Sequence, residues 1–130
     1  MHPASHVARG RHAEALAAAF LALQGYEILE RNFRSSRLEI DLIARLGQVL
    51  AIVEVKYRAS GRHGGAAPAV TAQKQRDIET ATVGYLRARG LAGLRVRFDV
   101  VTLEPALGEP AALVVRHIPN AFGATGRYRC

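Results

Sequence analysis

Apolar and polar positions alternate most clearly between Leu38 and Arg58. Leu38, Ile40 and Leu42 alternate with Glu39 and Asp41, Gly47-Gln48 interrupts, and a second β-branched run carries Glu54-Val55-Lys56. A period of two predicts two strands joined by a tight hairpin. Upstream, "SHVARGRHAEALAAAFLALQGY" reads as a helix with Ser5 as N-cap and Gly25 as its stop. Its second half is apolar almost all round, which predicts deep burial, and its alanines allow close approach to a sheet. "YEILERNFR" is a first strand. Downstream, the glycine-rich "RASGRHGGAAPAV" fits neither period and is a loop. "VTAQKQRDIETATVGYLRARG" is a second helix ended by Gly90, and "LRVRFDVVTLE" and "AALVVRHIP" are strands on either side of the turn "PALGEP". The order αβββαββ predicts an α/β fold in which one mixed sheet is flanked by helices.

The length of 130 residues suits one domain over 1–130, with a core at about 5–119 and a flexible tail at 120–130. A hydrophobic share of 49% with 22% charged residues is that of a globular chain. No apolar stretch is long enough to cross a bilayer, and "MHPASHVARGRHAEA" lacks an apolar signal core, so the expected location is the cytoplasm. The single cysteine, Cys130, excludes an internal disulfide and a multi-cysteine zinc site. His2, His6, His12 and His117 have no zinc spacing. Neither a phosphate-binding glycine motif nor a nucleophilic serine elbow is present, which removes kinase and protease chemistry.

Charge adds a partner class. A net charge of +7 and a pI near 10.5 favour a polyanion, hence nucleic acid. The competing explanation is compositional, since every basic residue except Lys56 and Lys74 is arginine in an alanine-rich chain. No basic amphipathic helix stands out to favour a membrane surface.

The acids within the hairpin carry the chemistry. A two-residue type II′ turn with Gly47 first pairs Leu46 with Val49, Ile43 with Ile52, Asp41 with Glu54, and Glu39 with Lys56. Directly opposed residues hold their β-carbons roughly 4.5–5.5 Å apart, so Asp41 and Glu54 repel unless something lies between them. A divalent cation relieves that repulsion, and an all-oxygen ligand set suits Mg²⁺ or Mn²⁺. Lys56 shares the strand face of Glu54, and the Val55 carbonyl offers a further ligand. Two carboxylates, a divalent ion and a lysine match the needs of phosphodiester hydrolysis. The alternative is structural: Glu39–Lys56 as a cross-strand ion pair, with Asp41 and Glu54 bound to arginines such as Arg34 or Arg58. Arg9, Arg11, Arg34, Arg37, Arg58 and Arg62 flank the acids as candidate phosphate contacts. Lys74, near the start of the second helix, is another, against the alternative of a solvated lysine. Asp99 alternates with Arg95 and Arg97 on one strand face, which predicts a salt bridge.

The run of "AE" in the first helix, "RNFR", "EIDLIA", "VEVKYR", a glycine loop, "VTAQK", "RFDVV" and "HIPNAF" resembles the YraN-type family of small bacterial proteins. The likeness extends from about Gly10 to Phe122. That family in turn is similar to archaeal Holliday junction resolvases and the PD-(D/E)XK restriction-endonuclease-like superfamily, whose core matches the αβββαβ order. The resemblance implies a metal-dependent endonuclease acting on branched or structured DNA. It makes Asp41 and Glu54 the metal-binding acids, Lys56 the motif lysine, and Glu14 an acid on the first helix near the metal. The proline of the superfamily's name is absent, since Ile40 precedes Asp41. A homodimer is implied too, because a four-way junction needs two symmetric cuts. The rival expectations are a non-catalytic nucleic-acid-binding module on the same fold and an accessory protein with a protein partner.

Overall fold

The computed structural model describes residues 5–58, 70–91 and 93–123, with side chains for all of these except 5–10 and 109–111. Helix α1 (Ser5–Leu23) ends where Gly25 adopts a left-handed φ of 98°. Gly25 N–H donates to the Ala22 carbonyl (3.0 Å) and Tyr26 N–H to that of Leu21 (3.1 Å), the hydrogen-bond pair of a Schellman turn. Leu21 and Tyr26 then join one apolar cluster.

Strands β1 (Glu27–Ser35), β2 (Leu38–Leu46) and β3 (Val49–Tyr57) follow, then helix α2 (Ala72–Arg89), then β4 (Arg95–Ala106) and β5 (Glu109–Phe122). The strands lie side by side in chain order, so the expected αβββαββ arrangement holds. Neighbours are antiparallel except β3 and β4, which run parallel. A parallel pair needs a crossover, and the segment containing α2 supplies it.

The helices cover opposite faces. Ala13, Ala17, Ala18 and Leu21 of α1 pack with Leu42, Ala44, Ala51, Val53, Val101 and Leu103. Ile78, Ala81 and Tyr85 of α2 pack with Ile40, Ile43, Leu50, Ile52 and Phe98. Burial on both faces accounts for the unbroken apolar run from Val49 to Val53. The expected all-round burial of the second half of α1 does not hold: Leu21 is buried while Leu23 is 89% exposed. Alanines let one side of the helix sit close to the sheet, and the opposite side faces water.

Two boundaries also differ. The turn expected over "PALGEP" narrows to Leu107-Gly108, with Gly108 at φ 73° and Ala106 paired to Glu109. The chain expected to fray after residue 119 stays in the sheet to Phe122, whose ring stacks on Phe98 with centroids 5.2 Å apart. That stacking, with the Asn120 N–H donated to Asp99 Oδ1 at 2.9 Å, holds the end of β5 despite the strand-breaking signal of Pro119-Asn120. The proposed N-cap side chain of Ser5 and residues 124–130 lie outside what the structure describes.

The hairpin has the expected turn. Gly47 takes φ 59° while Gln48 stays in the ordinary negative range, as a type II′ turn requires. Leu46 faces Val49, Ile43 faces Ile52 and Leu42 faces Val53.

Candidate functional site

The β2–β3 ladder stops at Leu42–Val53, one step before the two acids. Side-chain alternation slips at the same place. Leu42 and Ala44 belong to the α1 face, whereas Ile40 and Ile43 both belong to the α2 face. Asp41 occupies the slip. It lies opposite Asn32, between the pairs Arg31–Leu42 and Phe33–Ile40, and Asn32 has a left-handed φ of 55°. Asparagine is one of the few residues that adopts this conformation readily.

Where main-chain pairing ends, a side chain takes over. Asp41 Oδ2 accepts the Val55 N–H at 2.8 Å. The N–H and C=O of one strand residue leave on the same edge, so the Val55 carbonyl faces the same opening. Glu54, next in the chain, is 6% exposed. Its Oε2 lies 3.5 Å from Lys56 Nζ and 3.8 Å from Lys74 Nζ. Lys74 is placed by the first turn of α2, where Thr71 Oγ1 caps the Lys74 backbone N–H at 3.1 Å. From the α1 side comes Glu14, whose Oε1 is buried without a hydrogen-bond partner.

Electrostatics mark the three acids as one group. Burial pushes the Glu54 carboxyl up to about 7, with the Asp41 charge adding to the rise and Lys74 and Lys56 opposing it. Asp41 is raised mainly by burial, against the stabilising Val55 N–H. Glu14 is raised by burial and then by the charge of Asp41, while the Asn32 side chain pulls it back. Asp41 therefore couples to an acid on each side of the sheet.

The folded state keeps the Glu54 proton to higher pH than the unfolded chain, so the contribution of Glu54 to stability is complete below about 4.5 and is lost as pH rises through about 7. In metal-free urea titrations, the advantage of Glu54→Gln over wild type should grow from pH 5 to pH 8. A gap independent of pH would show that Glu54 ionises freely.

The expected contacts divide. The register expected to set Asp41 opposite Glu54 ends at Leu42–Val53, and Asp41 bonds the Val55 N–H instead, with Glu54 and Glu14 interacting with it through their side chains and Lys56 beside Glu54. Glu39 does not pair with Lys56, a correction to the extended hairpin register. Beyond Leu42 strand β2 pairs only with β1, where Glu39 faces Arg34 and their side chains approach to 3.9 Å. Lys56 turns to Glu54 instead. Arg34 is 69% exposed, and Arg11 and Arg37 are exposed as well. Arg58 follows β3, and its backbone N–H donates to the Leu103 carbonyl at 2.8 Å. The side chain of Arg9, all of Arg62, the 59–69 loop with His63-Gly64-Gly65, and Cys130 lie outside the described residues.

The donor set suits a hard cation: carboxylate oxygens, a backbone carbonyl and one buried carboxylate oxygen with no partner. Among the described residues no three carboxylate, imidazole or thiol side chains converge as a ready-made cage. A cation held there would have to rely on one or two carboxylates, the Val55 carbonyl and waters, a ligand set that Mg²⁺ accepts.

Sequence reasoning found only the Arg97–Asp99 part of a second polar cluster. Asp99 has no exposure, and it accepts from Arg97 Nε (2.8 Å) and Nη2 (2.7 Å), His117 Nε2 (2.8 Å) and the Asn120 N–H (2.9 Å). Arg97 also donates to the Tyr26 hydroxyl at 2.6 Å. The Arg97–Asp99 bridge is the expected one. His117 could not be read from spacing, because it reaches Asp99 diagonally from its pairing with Val101, a β4–β5 register that local sequence does not give.

Comparison with known proteins adds a family. The model of an uncharacterised protein family, UPF0102, matches residues 13–103. A UPF0102 protein of Anaeromyxobacter dehalogenans is 44% identical over 120 residues, which cover 92% of this chain and 87% of that protein. One from Rhodococcus jostii is 44% identical over 119 residues, covering 92% and 99%. One from Hahella chejuensis is 47% identical over 92 residues, covering 71% and 74%. The matched span contains Glu14, Asp41, Glu54, Lys56 and Lys74.

Proposed function

The chain belongs to the UPF0102 family, and from the site it carries we propose a metal-dependent endonuclease with a restriction-endonuclease-like fold, acting on branched or structured DNA. One observation carries this reading. Asp41, at the parting of two strands, interacts with Glu54 on one side of the sheet and Glu14 on the other, all three with raised proton affinity and with a lysine beside Glu54. Carboxylates crowded in this way cost stability in the free protein, and a divalent cation offsets that cost.

Asp41, Glu54 and the Val55 carbonyl would hold Mg²⁺ or Mn²⁺, with Glu14 reaching it directly or through water. Such an ion supplies Lewis-acid polarisation of a phosphate and an acidified water. The residues of the chain do the rest. The Val55 N–H fixes the Asp41 carboxylate, leaving its second oxygen for a ligand. Lys56, 37% exposed, can turn its ammonium toward a non-bridging phosphate oxygen or the attacking water. Exposed Arg11, Arg34 and Arg37 give flanking phosphates a basic surface.

The test is cleavage of linear, flapped and four-way DNA with Mg²⁺ or Mn²⁺, run with wild type and Lys56→Ala. Wild type should cut the branched substrates, and Lys56→Ala should lose about a hundredfold or more. Metal-independent binding to branched DNA without any product would make the protein a binding module. Negligible, salt-insensitive affinity for DNA and RNA would point to a protein partner.

A further inference from the structure

The chain contains only two lysines among eighteen basic residues, and both ammonium groups lie against the same oxygen of Glu54. Lys56 arrives along β3, and Lys74 comes from α2 on the neighbouring layer. The second placement runs against local preference. Lys74 sits in the first turn of α2, which has no acidic residue, and a cation there meets the positive end of the helix dipole. A local rule broken in this way marks a position held by something outside the helix. Here that is Glu54, 6% exposed and 3.8 Å away.

Lysine rather than arginine also fits an exchangeable contact. Arginine forms a rigid fork that locks two oxygens, whereas lysine is a compact charge on a flexible stem that swings between partners. Lys74 is 39% exposed, so its ammonium has open space to move into. A divalent ion bound to Glu54 would repel both ammonium groups at this range.

We propose that Lys74 is a resident counter-cation of the metal site, which neutralises Glu54 in the free protein, is displaced when a divalent ion binds, and then contacts a nucleic-acid phosphate. The inference rests on the metal-site reading above. Removal of Lys74 then has opposite effects on two ligands. The metal gains affinity because a competing cation is gone, and nucleic acid loses it because a phosphate contact is gone. A structural role alone would weaken both.

The experiment measures Mn²⁺ binding by calorimetry at fixed pH, without nucleic acid, on wild type, Lys74→Gln and Lys74→Arg. Four-way DNA binding at several salt concentrations, with Mn²⁺ present and Lys56→Ala in every background to prevent cutting, completes it. Lys74→Gln should bind Mn²⁺ about 3- to 10-fold more tightly. Its DNA affinity should fall, with the salt slope smaller by about 1. Lys74→Arg keeps the charge and should bind Mn²⁺ no more tightly than wild type. Equal or weaker Mn²⁺ binding by a folded Lys74→Gln, while wild type binds, would overturn the counter-cation role and leave the metal site standing. Absence of Mn²⁺ binding by wild type would remove both.

Discussion

Asp41→Asn should lose metal-dependent cleavage by roughly a thousandfold, the scale of losing a principal electrostatic partner of the transition state, and its fold should be at least as stable as wild type at pH 8. The two halves follow from one geometry. Asparagine keeps a side-chain oxygen to accept the Val55 N–H, so the bridge that replaces the main-chain ladder survives. What disappears is the charge that raises both Glu14 and Glu54. A cluster that repels itself should relax when its central member is neutralised, and the Glu54 carboxyl should titrate at lower pH. Activity on branched DNA and urea midpoints check the two halves separately. Cleavage retained by the variant would remove Asp41 from the mechanism. Lost cleavage with a large fall in the midpoint would mean that Asp41 serves the fold instead.

Asp99→Ala should have the largest effect on stability, about 3–5 kcal/mol, because it leaves the partly buried Arg97 charge without its carboxylate. Four donors converge on Asp99, and one of them, the Asn120 N–H, ties the irregular end of β5 to β4. A domain of this size is stable by roughly 5–15 kcal/mol, so the loss is a large share of the total. Hydrogen bonds from His117 and Arg97 hold the Asp99 carboxyl below its ordinary range despite burial. Its stabilising contribution is therefore complete above about pH 4 and is lost as pH falls through its folded value. Urea denaturation at pH 7 tests the magnitude. A loss below about 1 kcal/mol would show that Arg97 and His117 find other partners.

The two substitutions separate the protein's charged interior into two carboxylate environments of opposite kind. At Asp99 both carboxylate oxygens accept from fixed donors, and proton affinity is lowered. At Asp41 and Glu54 burial and mutual repulsion win, and proton affinity is raised. A carboxylate paired on both oxygens stiffens a fold, whereas acids that repel one another are relieved by a nearby positive charge, here supplied to Glu54 by Lys56 and Lys74.

The sequence by itself determined the elements and their order, because those rest on local periodicity and on glycines that local geometry requires. Alternation from Leu38 to Lys56, the Gly47 turn, and the stops at Gly25 and Gly90 are all legible within a few residues. The neighbourhood of Asp41 and Glu54 was legible, since the Gly47 turn sets the register as far as Leu42–Val53, but their direct cross-strand pairing was not, because the ladder ends there and Asp41 takes the Val55 N–H. Tertiary structure decided where that register ends. The sheet lets β2 leave β3 after Leu42, which sends Glu39 to Arg34 and gives Lys56 to Glu54. It also decided the contacts made from other layers: Lys74 against Glu54, Glu14 beside Asp41, and His117 on Asp99. Such contacts depend on how helices seat on a sheet and where an edge strand slips, which no local pattern encodes.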